Sequence, residues 1–131
     1  MKIEMPAGGE KIYLKDYQVP AYKVLQAEFT VELLPGCAEV HATLKLQRHP
    51  DAPADAPLVL LGADLELLAL AWDGQPLTAG DWHWAGEQWV FPGATDAGVF
   101  TSTVRIYPDS NLALEGLYRS HGLYCTQCEA E

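Results

Sequence analysis

The chain ends in Cys125-Thr126-Gln127-Cys128-Glu129-Ala130-Glu131, the stretch densest in groups that do chemistry. Two thiols with two residues between them have the spacing of a thioredoxin-like redox pair or of half a zinc site. The same stretch offers a third chemistry. An amide with donor and acceptor capacity beside a carboxylate is suited to hold a primary ammonium. A redox pair opens a helix after a strand within a βαβ unit, and no such unit is visible. Zinc would take His121, Cys125 and Cys128, with Cys37 as a fourth ligand, but no second paired motif accompanies them. In an extended segment Cys125, Gln127, Glu129 and Glu131 face one way and Thr126, Cys128 and Ala130 the other, which parts the thiols. A turn here would reunite them. Extension instead sets Gln127 and Glu129 side by side, an arrangement that solvated strand ends also carry.

The other polar and aromatic candidates are scattered. His41, His49, His83 and His121 show no pair at ligand spacing, so incidental roles are expected for each. Trp82 and Trp84 sit two apart, with Trp72 and Trp89 nearby. Exposed, they would stack on sugar rings; packed, they would fill a small sheet, and packing is the expectation.

The elements that must position these residues read as strands. In "YKVLQAEFTVELL", Leu25, Ala27, Phe29, Val31 and Leu33 alternate with Gln26, Glu28, Thr30 and Glu32, which predicts a half-buried strand over 22–34. Pro35-Gly36 supplies a turn, and Val40, Ala42, Leu44 and Leu46 alternate in the next run to complete an antiparallel hairpin. Pro50 to Pro57 cannot continue a ladder and should be an exposed connection. "LVLLG" is a short apolar run. Leu65 to Trp72 ends at the hairpin dipeptide Asp73-Gly74, which favours strand over helix. A second turn is predicted around Ala85-Gly86 and a β-branched strand over Val99 to Tyr107. "NLALEGLY" after Pro108 is a helical turn or a loop. Turn signals about every 8 to 12 residues, with almost no helical periodicity, predict an all-β antiparallel two-layer sandwich or saddle-like twisted sheet. Residues 1–10, with Pro6, Gly8 and Gly9, read as a lead-in, and residues 11–131 as one β domain.

Composition narrows the partners. The chain is 49% hydrophobic and 20% charged, a balance that supports a packed core. Eighteen acidic residues against eight basic leave a net charge of −10, which argues against a nucleic-acid partner and favours cationic ligands. No apolar run has the length of a secretory signal or a membrane span, so a cytoplasmic location is expected. Three cysteines in a chain able to build its own core suggest reduced thiols.

The run "NLALEGLYRSHGLYCTQCEAE", above all "LEGLY" followed by "CTQCEAE", resembles the end of the N-terminal β domain of the bacterial aminopeptidase N family, zinc metallopeptidases of the gluzincin type. "DYQVPAYKV" and "APLVLLGADLELLAL" resemble the same family in the same order, so the resemblance runs from about Lys15 to Glu131. It implies a twisted β saddle that packs on a thermolysin-like catalytic domain of the same polypeptide and walls one side of its active site. It implies that Glu129 binds the free α-amino group of a peptide, that Gln127 lines the pocket for the first side chain near that amine, and that the cysteines are pocket neighbours. The H-E-x-x-H zinc motif, the G-x-M-E-N segment and the tyrosine that the family uses at the tetrahedral intermediate are missing. Zinc is therefore expected in the full-length enzyme and none in this chain, which reads as an excised domain with no catalytic residue of its own. The rival from another class is a stand-alone β-sandwich module binding carbohydrate or protein.

Overall fold

A computed structural model describes residues 13–128. The lead-in expected over 1–10 and Glu129 lie outside the described residues. The strands are β1 (Tyr22–Leu34), β2 (Cys37–Arg48), β3 (Leu58–Leu61), β4 (Glu66–Trp72), β5 (Gln75–Pro76), β6 (His83–Ala85), β7 (Gln88–Phe91), β8 (Ala97–Ile106), β9 (Gly116–Ser120) and β10 (Leu123–Gln127). Among the described residues the only helical pieces are single 3-10 turns, Leu14–Asp16 and Pro108–Ser110. All strand pairs are antiparallel, so the all-β expectation holds.

The described residues form three sheets: five strands in the order β1-β2-β8-β4-β5, three in the order β3-β7-β6, and the separate pair β10-β9. The β1–β2 hairpin closes on Pro35-Gly36, as the sequence predicts, with Leu34 opposite Cys37. Asp73 and Gly74, at φ 48° and 78°, make the primed turn between β4 and β5, so 66–72 is strand and not helix. The turn expected at Ala85-Gly86 falls one residue later, because Ala85 pairs with Gln88.

The first two sheets stack as two layers around one core. Opposite residues of a ladder share a face, and the register aligns Leu46 with Gly98, Leu44 with Phe100, Val40 with Val104 and Trp72 with Phe100. Leu58, Trp89 and Phe91 of the small sheet close over this face, with Phe91 and Phe100 edge to face at 5.2 Å. Gly98 is needed for close approach: a Cβ there would lie 2.5 Å from the Trp72 ring.

The strand expected to be half-buried over 22–34 needs correction. Its alternation is right, but a bulge at Leu25 puts Val24, not Leu25, on the face shared with Ala27, Phe29, Val31 and Leu33. That face continues the core face of β2, since Val24, Phe29 and Val31 stand opposite Leu46, Ala42 and Val40. The small sheet does not reach it. Phe29 is 61% exposed, Val31 50% and Leu33 50%.

Long-range hydrogen bonds pin the loops beside the core. Arg48 donates from Nε to Asp96 at 2.8 Å and from Nη1 to the carbonyls of Pro53 and Ala56, which anchors the proline-rich connection. Its guanidinium lies 4.9 Å over the Tyr22 ring. The Tyr22 hydroxyl donates to the carbonyls of Ala94 and Thr95, at 3.2 and 2.8 Å. Burial raises the Tyr22 phenol above its ordinary 10.0, against the lowering influence of Arg48 and with a further push from Asp96. A pKa raised on folding gives stability that is intact below pH 10 and lost as pH climbs through the folded value. Tyr22→Phe should cost about 1 kcal/mol at neutral pH. The gap to the parent chain should close above pH 10, as urea unfolding at neutral and alkaline pH would register.

Candidate functional site

The closing hairpin carries the described part of the sequence-predicted site. His121 and Gly122, at φ 50° and 81°, form the primed turn between β9 and β10. Sequence reasoning missed this hairpin, although His121-Gly122 between apolar runs resembles an Asn-Gly turn signal. Extension through Gln127 places Cys125 and Gln127 on one face, with Tyr118 opposite Cys125 and Gly116 opposite Gln127. Gln127 is exposed at the last strand position. Gly116 adopts φ 67°, a conformation that favours glycine, and a Cβ there would meet nothing within 4 Å. No side chain therefore occupies the cross-strand place opposite Gln127. Glu129, the carboxylate expected next to it, lies outside the described residues, so the pairing of the two rests on the sequence.

Geometry disfavours a redox pair in this stretch. β10 is extended through Gln127 and ends one residue before Cys128, so no helix opens on the C-x-x-C pair as a thioredoxin-like site would require. All three cysteines are free thiols, and Cys125 Sγ lies 3.9 Å from the Leu123 carbonyl.

Three metal-capable side chains do converge elsewhere: Glu32, Glu39 and His41, with ligand atoms within 4.8 Å of one another on the polar face of the β1–β2 hairpin. His41 Nδ1 lies 3.1 Å from Thr103 Oγ1. Glu39 Oε1 already accepts from Arg105 Nη2 at 3.0 Å, and Arg105 Nη1 is 3.8 Å from Glu66. This cluster does not fit a catalytic zinc. One carboxylate is committed to a guanidinium that repels a second cation, and Glu32 and His41 are exposed. Hydrogen bonding to Glu39, then to Tyr107, raises the Arg105 pKa further, and the bond to Glu66 raises that of Tyr107. The group is an ion-pair network across β2, β8 and β4.

The tryptophans in and beside the small sheet pack on one another. Trp84 sits edge-on to Trp89 at 4.6 Å, and Trp82 and Trp84 meet at 88°, so they present no common plane to a sugar ring. Trp82 is half-buried and Trp84 42% exposed.

By fold, the chain is an all-β domain that recurs as a part of two larger solved peptidase structures. It superposes on the crystal structure of Legionella pneumophila aminopeptidase A in complex with aspartic acid with a TM-score of 0.79 at 21% identity, over 90% of this chain and 14% of that one. A variant M1 zinc metallopeptidase from Deinococcus radiodurans bound to a Tyr-Ser-Ala substrate gives 0.55 at 19% identity, over 79% of this chain and 26% of that one. No family model matches the sequence.

By sequence, the chain is a homologue of the N-terminal domain of the proteins named aminopeptidase N. It is 39% identical over 122 residues to that of Caulobacter vibrioides and 36% identical over 121 residues to that of Escherichia coli. These alignments take in 93% and 91% of this chain but only 14% and 13% of the relatives' length.

Proposed function

We propose that this chain is the N-terminal β domain of a zinc-dependent, cytoplasmic aminopeptidase that releases N-terminal amino acids from peptides. Gln127 and Glu129 hold the substrate's α-ammonium, the cysteines border that pocket, and the bare face of β1 docks on the catalytic part of the same polypeptide. The observation that carries the reading is Gln127 itself: an exposed amide at the base of the β9–β10 hairpin, opposite Gly116, which puts no side chain beside it. An exopeptidase must recognise a chain end. A carboxylate and an amide acceptor do this because a blocked or internal nitrogen leaves them without a charged donor. One amine contact then sets which bond lies over the catalytic centre. The zinc and its ligands belong to residues this chain does not contain.

The experiment is an assay of amino-acid anilide hydrolysis by the full-length enzyme. Gln127→Ala should lower kcat/KM by about tenfold, the effect of one lost hydrogen bond to a charged group. Chelation should abolish the activity yet leave the melting of the 131-residue chain unchanged, which separates this reading from a zinc-stabilised domain. A loss below about threefold for Gln127→Ala would remove its assigned role.

A further inference from the structure

The hairpin that presents Gln127 contributes no residue to the main core cluster and packs instead on the 3-10 turn Pro108–Ser110. An open groove of about 640 Å³, lined by Ile106, Tyr107, Leu112 and Leu117 among others, lies between its base and the end of β8. A two-stranded pair standing alone is marginally stable, so something else must fix where β10 ends.

Asn111 does so at the base. Its side-chain Nδ2 donates to the Glu115 carbonyl at 2.7 Å and to the Leu117 carbonyl at 2.9 Å. Both partners are acceptors, so only the amide nitrogen can face them. The two carbonyls flank Gly116, and Gly116 is the ladder partner of Gln127. The backbone there is strained: Leu114 sits at φ 58°, a left-handed conformation that a leucine holds only where its surroundings impose it. The second tie is peripheral, an ion pair of 3.5 Å between Arg119 and Asp109, nearer the hairpin tip.

We propose that Asn111 is a positioning residue for amine recognition: by clamping the carbonyls on either side of Gly116, it sets the height and direction at which Gln127 meets the substrate's α-ammonium. This rests on the reading of Gln127 given above. Asn111 touches no substrate and acts through the β9–β10 register.

The test uses the full-length enzyme and two variants, Asn111→Ala and Asn111→Asp, the second keeping the shape but offering no donor. The readout is the preference for L-leucine hydroxamate over the same hydroxamate lacking the α-amino group, a ratio of inhibition constants to which a general loss of stability contributes nothing. Both variants should narrow that preference by about tenfold or more, toward the roughly hundredfold that a misplacement of about an ångström can cost, while still melting cooperatively. An unchanged preference in either variant, with a collapsed preference in Gln127→Ala, overturns the role of Asn111 and leaves Gln127 in place. An unchanged preference in Gln127→Ala overturns both assignments together. Loss of cooperative melting in both variants marks Asn111 as a folding residue and also overturns the proposal.

Discussion

Glu129→Ala in the full-length enzyme should lower kcat/KM on amino-acid anilides by roughly 30-fold to several-thousand-fold, the equivalent of about 2 to 5 kcal/mol for truncating one partner of a partly desolvated charge pair. The effect exceeds that expected for Gln127→Ala because the carboxylate supplies charge as well as an acceptor. Glu129→Gln keeps the shape and an acceptor but drops the charge, so its loss should fall between the two. Substrates carrying an acylated amine provide the control. They lack the ammonium, and their residual turnover should be insensitive to either change at residue 129. A loss below about threefold for Glu129→Ala would leave the amine without its assigned partner.

How far the sequence alone leads to this site depends on the range over which each signal acts. Alternation and turn dipeptides are local, and they predict β1 and β2, the strand character of 66–72 and the turn at Asp73-Gly74. A bulge is a single inserted residue with no compositional signature, so Leu25 was expected on the wrong face. Partners distant in sequence are invisible for a related reason. Arg48 reaches Asp96, and the Tyr22 hydroxyl reaches Thr95, across separations that no local pattern encodes. At the site, Cys125 and Gln127 share the face that alternation assigns them, yet the strand opposite them went unread. Without β9, neither the space beside Gln127 nor the grip of Asn111 on Gly116's neighbours can be foreseen.

Alternation also reports which face of a strand is apolar without reporting what lies over it, and β1 turns that gap into an experiment. Its thirteen residues form an edge of the five-stranded sheet, with an uncovered apolar face that runs on from the core. Such an edge invites association in isolation and requires cover in a larger protein. The double variant Phe29→Thr with Val31→Thr keeps β-forming residues while removing much of the apolar surface. In the 131-residue chain it should cost under about 1 kcal/mol, because both side chains are already half in water or more, and sedimentation should show a larger monomeric fraction. In the full-length enzyme the same pair should cost about 3 kcal/mol or more, the usual penalty for emptying a buried phenylalanine site. Limited proteolysis should then release the domain, and activity should fall with it. The opposite directions of the two effects identify the face as one that the remainder of the polypeptide covers. A second copy of the domain as the natural occupant would weaken assembly in the isolated chain and leave the enzyme's domain packing intact.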